Sequence, residues 1–406
     1  MKTIKNEYDK LFEYKNLYEA YKKVQIGKSK KEKIEFEKNL LSNISEIAEE
    51  LEKETYEVEN YRLFIVKEPK IRLIMSMAYR DKIIQRCLCD QILSKLIKSK
   101  VIYDNVAVQK EKGTGLGIKR IKQFLREYYN KNKTNKGYIL KCDIEKYFYN
   151  INHKILKEQL VRYITDKKLN SLLEKIIDST KDEKLLEKTN QICETYGITK
   201  ITKEKGLPIG NMTSQYFGVL YMSGLDRYIK EELKIKYYTR YVDDFILIHE
   251  DKEYLRNCRQ QIQKYVEEKL ELRLNKKTMI SKMEEGVSYI GYKFYLTNTG
   301  KIIMKLSKRN KKQTKKKIKK YAEELKKGEK DIKEISEKIK SWINHAKQGN
   351  TYKLRKNVID MFNKRSGREN AKEKEQKRVY IIRITSSPRN TSSTSNNSNT
   401  NIHEQK

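Results

Sequence analysis

Apolar positions along the chain switch between helical and strand spacing, and the switches outline its organisation. Residues 1–57 carry Leu and Ile at helical intervals among Lys and Glu, almost without Gly or Pro, which predicts a helical lead-in. The stretch YRLFIVKEPKIRLIMS (61–76) alternates and is rich in β-branched residues, predicting two strands joined through Glu68, Pro69 and Lys70. Helical spacing returns over 79–99 and, after the cluster Gly113, Gly115 and Gly117, over IKRIKQFLREYY (118–129). YILKCDIEKYF (138–148) reads as a buried strand running into a turn. Helices are expected over 153–188 and 212–233, with a Gly/Pro loop at 206–210 between them. YYTRYVDDFILIHE (237–250) reads as strand, acidic turn, strand. Beyond Gly291 the pattern changes: 305–340 is dense in lysine, with Ile318, Tyr321, Leu325, Ile332, Ile335 and Ile339 at helical spacing, which predicts a separate basic helical subdomain. The tail SSPRNTSSTSNNSNTN (386–401) is too polar to bury a core, and 366–406 is expected to be largely disordered.

A chain of 406 residues is long enough for two or three packed subdomains. Its 91 Lys and Arg against 55 Asp and Glu leave a formal charge of +36, which favours an extended polyanion over a small neutral substrate, with nucleic acid ahead of an anionic membrane surface. No run approaches the roughly 20 apolar residues of a spanning helix, and the start MKTIKNEYDKLFEYKN lacks a signal-peptide core, so a cytoplasmic protein without membrane contact is expected. The five cysteines, Cys87, Cys89, Cys142, Cys193 and Cys258, show no CxxC spacing and read as reduced and structural. With the four histidines also dispersed, a zinc site is disfavoured and any metal should be held by carboxylates.

Two local signals supply such carboxylates. Asp143 ends the apolar strand 138–142, and Asp243 and Asp244 lie between Tyr241-Val242 and Phe245-Ile246-Leu247-Ile248. An acidic pair among apolar strand residues is costly to bury unless a cation compensates it, and two-metal phosphoryl transfer needs carboxylates on rigid backbone around ions about 3.5–4 Å apart. Taken alone, the pair also fits an ordinary hairpin turn, where Asp is common for its local hydrogen bonds.

YVDD within RYVDDFILI resembles the Y-x-D-D motif of reverse transcriptases, and KCDIEKYF resembles their first catalytic motif. The resemblance implies that Asp143 and Asp243 bridge two Mg²⁺ ions, with Asp244 nearby and the Ile144 backbone carbonyl as a further ligand, Mn²⁺ being able to substitute. Phe148, five residues after Asp143, matches the aromatic position that packs under the nucleotide sugar and excludes a 2′-hydroxyl. GLPIGNMTSQ (206–215) is similar to the family's L-P-Q-G-x-x-x-S-P loop: Leu207, Pro208, Gly210 and Ser214 match, while Ile209 and Gln215 depart. EPKIRLI (68–74) resembles the triphosphate-binding fingers motif, making Lys70 and Arg72 candidates, with Arg72 preferred for its bidentate guanidinium. QKEKGTGLGIKRIKQFL (109–125) resembles the template-contacting block, in which Gly115 and Gly117 would let backbone approach nucleic acid. LRLNKKT (272–278) matches the lysine-bearing block and places Lys277 by the leaving group or in support of the palm. SYIGYKF (288–294) resembles the primer-gripping hairpin, with Gly291 and Tyr292 as contacts.

These matches run in family order between residues 61 and 354, which is far more specific than any one of them. The implied fold is a right-hand polymerase of α/β (α+β) class. It has a helical lead-in (1–60), fingers and a palm of small antiparallel sheet flanked by helices (61–295), a basic helical thumb (296–365) and a basic, Ser/Thr/Asn-rich tail (366–406). The implied activity is RNA-directed DNA polymerisation from dNTPs on an RNA template and cDNA/primer duplex. IGNMTSQ around Ile209, with SWINHAKQGNTYKLRK (341–356), resembles the enzymes of diversity-generating retroelements. That type copies a template repeat with errors at adenines and works with a small basic accessory variability protein and a structured RNA, in a prokaryotic or phage-encoded setting. Losing a glutamine's polar contact at Ile209 should lower fidelity. Two rivals are a defence-associated or other group II-like prokaryotic reverse transcriptase and an inactive RNA-binding protein with the same fold. No retron NAxxH or VTG element occurs, no room follows the thumb for an intron endonuclease domain, and the intact acids argue against inactivity.

Overall fold

The computed structural model describes residues 3–24 and 30–367, which fall into two compact units dividing between Ile303 and Met304. The first opens with a 3-10 turn (Tyr8–Leu11) and helices α1 (Tyr14–Val24), α2 (Lys30–Lys38) and α3 (Leu40–Glu52). Leu17, Ala20, Tyr21 and Val24 line one face of α1, and Ile44, Ile47 and Leu51 one face of α3. Both stripes are buried, as their spacing predicts. Strands β1 (Arg62–Val66) and β2 (Arg72–Ser76) form the expected antiparallel ribbon, Phe64 opposite Ile74. Helices α4 (Tyr79–Leu88) and α5 (Ser94–Lys100) run on through a π turn (Cys89–Leu93). Next come α6 (Thr114–Asn132), β3 (Tyr138–Cys142) and the short α7 (Tyr147–Asn150).

The helical pattern expected over 153–188 resolves into three helices: α8 (His153–Tyr163), α9 (Lys167–Asp178) and α10 (Glu183–Thr195). Asn152, Asp166 and Asp182 each accept a hydrogen bond from the backbone N–H three residues on, at 3.2, 3.1 and 2.7 Å, so each starts a new helix as an N-cap. Apolar spacing continues across the breaks and hides them in the sequence. The 212–233 stretch is likewise divided, into α11 (Met212–Tyr221), α12 (Ser223–Arg227) and a π turn (Tyr228–Glu232).

After these come β4 (Tyr237–Tyr241), β5 (Asp244–His249), α13 (Lys252–Leu270), β6 (Met279–Lys282), and an antiparallel hairpin of β7 (Val287–Tyr289) and β8 (Tyr292–Leu296). The sheet has strand order β4-β5-β3-β6, all antiparallel. Phe245 through Ile248 are buried without alternation, because the sheet is covered on both faces. Leu255, Cys258, Ile262, Val266 and Leu270 of α13 join a core that continues through α11 to the N-terminal helices.

Strand β9 (Ile302–Leu306) carries the division between the units. The second unit contains α14 (Lys308–Lys326), α15 (Ile332–Lys347) and α16 (Tyr352–Arg365). Its core is Ile318, Ala322, Ile335, Ile339, Ile343, Val358 and Phe362, with Tyr321, Leu325, Ile332 and Trp342 packed at its margin, so the lysine-rich pattern does enclose a small apolar interior. The tail from 368 onward lies outside the described residues. All five cysteines are buried and unpaired. No helix among the described residues is long and apolar enough to cross a membrane.

Asp166 does more than cap α9: its other oxygen accepts the backbone N–H groups of Glu7 and Tyr8, each at 3.1 Å, tying the N-terminal segment to the core. Asp166→Ala should therefore lower the unfolding free energy by about 1–2 kcal/mol, the upper range for a lost cap, measurable by urea denaturation.

Candidate active site

The site is built where β3 and β5 run side by side. Their last pair is Cys142 opposite Phe245, so the next residue on each strand, Asp143 and Asp244, stand as neighbours one strand spacing apart. Asp244 also pairs with Tyr241 across the two-residue turn Val242-Asp243 that joins β4 to β5. Beyond Asp143 the chain stays paired: its carbonyl accepts the Asn275 N–H at 2.7 Å, and the Glu145 N–H donates to the Arg273 carbonyl at 2.9 Å. These two bonds flank Ile144 and leave its own carbonyl directed to the opposite side, that of β5.

The three carboxyl groups sense one another. Burial raises the Asp143 carboxyl above the ordinary value of 3.8, and the charges of Lys141, Lys70 and Lys277 oppose the rise. Burial and then the Asp143 charge push Asp243 up to about 6, against Lys70 and Arg240. Asp244 is pushed up to about 7, again by burial first, although a quarter of its side chain keeps contact with solvent. The Lys141 ammonium lies 3.2 Å from Asp244 Oδ1 and 3.3 Å from Oδ2, and donates to the Ser288 carbonyl at 2.8 Å. Among the described residues no three His, Cys, Asp or Glu side chains are drawn together tightly enough to form a ready metal cage. The donor set nevertheless fits hard divalent cations: three all-oxygen carboxylates where β3 and β5 adjoin, each raised by burial, a cost that a bound cation would relieve.

Other predicted residues converge here. Lys70, at the end of the β1–β2 connection, and Lys277 are exposed, and both act on Asp143, Lys70 on Asp243 as well. Arg72, the preferred candidate in sequence, is not among the charges acting on the acids; its charge bears on the Tyr149 hydroxyl, because it lies on β2 and not in the connection. Phe148 is half-buried, edge-on to Tyr147 at 5.4 Å, and both rings sit where Gly218 of α11 leaves no Cβ. The 206–210 loop joins the pieces: the Leu207 N–H donates to the Phe148 carbonyl at 2.7 Å, and the Met75 N–H of β2 donates to the Ile209 carbonyl at 3.0 Å. Gly210 takes a φ of +137°, and a Cβ there would stand 2.6 Å from the Met75 carbonyl, so the close approach glycine permits is to β2. Gln215 is exposed on α11, and the Ser214 hydroxyl donates to the Pro208 carbonyl at 2.8 Å inside the loop.

Two expectations need correction. Gly117 is buried, and a Cβ there would meet Ile290 Cδ1 at 2.3 Å, so this glycine receives a side chain of the protein and not a template strand; Gly115 is exposed with open space around it. Tyr292 is fully buried because strand alternation turns Tyr292, Phe294 and Leu296 inward together, whereas Ser288 is exposed and Ile290 and Gly291 of the turn are half-buried. Sequence reasoning also missed Lys141 and Arg240. Lys141 precedes Asp143 by two in a strand, which places both on one face; Arg240 was signalled by a full charge inside a strand otherwise fit for burial. A cavity of about 600 Å³ lined by His153, Lys157, Arg162 and Lys181 contains none of the acids.

The chain matches the family model of reverse transcriptase (RNA-dependent DNA polymerase) over residues 65–294, more than half its length and all three acids included. It belongs to the reverse transcriptase family. Solved structures similar to this reverse transcriptase include telomerase from Candida albicans in complex with a TWJ fragment of telomeric RNA (14% identity, 71% of this chain and 54% of that chain, TM-score 0.44). Another is apo telomerase from Candida tropicalis (16% identity, 81% of this chain and 61% of that chain, TM-score 0.46). The chain spans just over half the length of the first and about three fifths of the second. No curated protein sequence matches it.

The raised carboxyls give the site a pH signature. Between the unfolded value of 3.8 and the folded values near 6 and 7, the folded reverse transcriptase holds protons that the unfolded chain has released. Stability from these groups is thus present at low pH and lost as pH rises through 6 and 7. Asp244→Asn should raise the melting temperature over wild type at about pH 8 in chelator, with the difference shrinking toward about pH 5.

Proposed function

We propose that the protein is an RNA-directed DNA polymerase that makes cDNA from an RNA template, and that Asp143, Asp243 and Asp244 are its metal-holding catalytic acids. The observation that carries the reading is the β3–β5 register, which sets Asp143 beside the Asp243-Asp244 turn with the Lys70 and Lys277 charges acting on them, inside the span matched to the family. Asp143 and Asp243, with the Ile144 carbonyl, would hold two Mg²⁺ ions, or Mn²⁺ in their place, and Asp244 would assist. When bound, such ions activate a primer 3′-hydroxyl and stabilise the departing pyrophosphate.

The chain's own residues do the rest. Lys70 meets the triphosphate of the incoming dNTP from the β1–β2 connection, with Arg72 two residues on in β2, and the Lys277 charge acts on Asp143 from the segment before β6. Phe148, wedged against Gly218, forms a floor under the sugar and favours a 2′-deoxy substrate. Ile209, Gly210 and Gln215 line the nucleotide side of the 206–215 segment; Gly115 and the Gly291 turn face template and primer. On this reading 61–295 are fingers and palm, 296–365 a thumb whose lysines follow the duplex by counterion release. Primer extension on an RNA template with Mg²⁺ tests the assignment: Asp243→Ala should lose several kcal/mol of transition-state stabilisation, about 10³-fold in rate. Extension by this variant at the wild-type rate would refute it.

Within that class, the reading best supported is the error-prone enzyme of a diversity-generating retroelement, acting with a small basic accessory protein and a structured RNA. Its support is Ile209 where the family commonly has glutamine, Gln215 after Ser214, and the 341–356 segment. Ile209 presents an apolar side chain from a backbone fixed to β2, which removes one polar check on base-pair geometry. Sequenced cDNA from Ile209→Gln should show fewer misincorporations opposite adenine; an unchanged error spectrum would exclude the fidelity argument.

A further inference from the structure

The turn that carries Asp243 is held in a conformation its sequence does not favour. Two-residue hairpin turns with positive φ call for Gly, Asn or Asp, yet the first turn residue is Val242, at φ +58°, where a β-branched side chain is crowded against its own backbone. Such a residue persists only when its surroundings over-determine it. Beneath the turn lies an ion pair between Arg240 of β4 and Asp226 of α12, both side chains wholly inaccessible to solvent. Arg240 Nε donates to Asp226 Oδ1 at 2.7 Å and Nη2 to Oδ2 at 2.6 Å, a bidentate fork. Nη2 also donates to the Val219 carbonyl of α11 at 3.1 Å, and Nη1 donates to the Val242 carbonyl at 2.6 Å.

The anion end is equally fixed. Asp226 also accepts the Tyr238 hydroxyl at 2.6 Å and the Asn105 amide at 3.2 Å. The guanidinium is therefore immobilised by α11, α12, β4 and the 102–113 loop before it touches the turn. A buried pair of this kind contributes little net stability, since desolvation offsets its attraction, so its persistence needs another role. The one polar group of the hairpin turn that it engages is the carbonyl of the strained residue directly before Asp243.

We propose that Arg240 is a positioning residue: anchored by Asp226, it clamps the Val242 carbonyl and so holds the left-handed turn that aims Asp243 and Asp244 at their cations. The inference rests on the polymerase reading for its consequence in catalysis, while its effect on cation binding can be read without synthesis. Lysine at 240 keeps the charge and one contact to Asp226 but has no planar fork with which to reach the turn as well.

The test uses the full-length protein and Arg240→Lys. Circular dichroism and thermal melting establish folding; Mn²⁺ binding to the free protein is followed by electron paramagnetic resonance; kcat and the dNTP KM come from primer extension. The expected result is a folded variant whose Mn²⁺ dissociation constant rises by about 10-fold or more, the usual effect of losing a group that orients a metal ligand. In extension, kcat should fall by a similar factor while KM for dNTP stays within about 2-fold, as for an interaction made in the transition state. Adding Val242→Gly should recover part of both losses, because glycine adopts positive φ without a clamp; a merely structural ion pair would not be rescued at that position. Should Arg240→Lys fail to fold, Asp226→Asn, which keeps the acceptor for Tyr238 and removes the anchoring charge, takes its place with the same expectations. Wild-type Mn²⁺ affinity and kcat in the folded variant would overturn the inference and leave the polymerase reading intact. Absence of synthesis by the wild-type protein, with the Mn²⁺ difference preserved, would overturn the polymerase reading alone.

Discussion

Carboxylates brought together in a partly dry hollow repel one another and resist losing water, and the antiparallel pairing of β3 with β5 is what holds them there. The register from Tyr138 opposite His249 to Cys142 opposite Phe245 is locked by strand interiors that are buried throughout, and a slip of one residue would turn Asp143 to the other face. The cost appears in the upward displacement of all three carboxyls, each with burial as its first cause. The charges of Lys141, Lys70 and Lys277 oppose this rise, and of the three Lys141 makes direct contact, with Asp244. Three all-oxygen carboxyls, each driven toward its protonated form by burial, are a setting that hard divalent cations suit.

Much of this was legible in the order of residues, because the features concerned are local. Strand alternation, the acidic turn in YVDD, the Gly/Pro loop at 206–210 and the lysine-rich helices each depend on neighbours within a few positions, and each is found where the pattern put it. The breaks at Asn152, Asp166 and Asp182 were readable as caps but were outweighed by uninterrupted apolar spacing. The errors at Gly117 and Tyr292 have a different origin: both residues meet partners far away in sequence. Only the fold reveals that Ile290 occupies the space beside Gly117, or that Tyr292 shares its inward face with Phe294. Arg240 was visible as a charge in a buried strand, but its partner Asp226 stands in another element, and no spacing rule links the two.

The 206–210 loop shows how the polar machinery and the scaffold are kept apart. Its backbone is stitched to β2 through Met75 and Ile209 and to the segment after Asp143 through Leu207 and Phe148. Those bonds use main-chain groups alone, so they are indifferent to which side chain position 209 carries. Residue 209 can thus be exchanged without remodelling its surroundings, so whatever property its side chain governs is open to change through a single codon while the architecture around it stays unchanged.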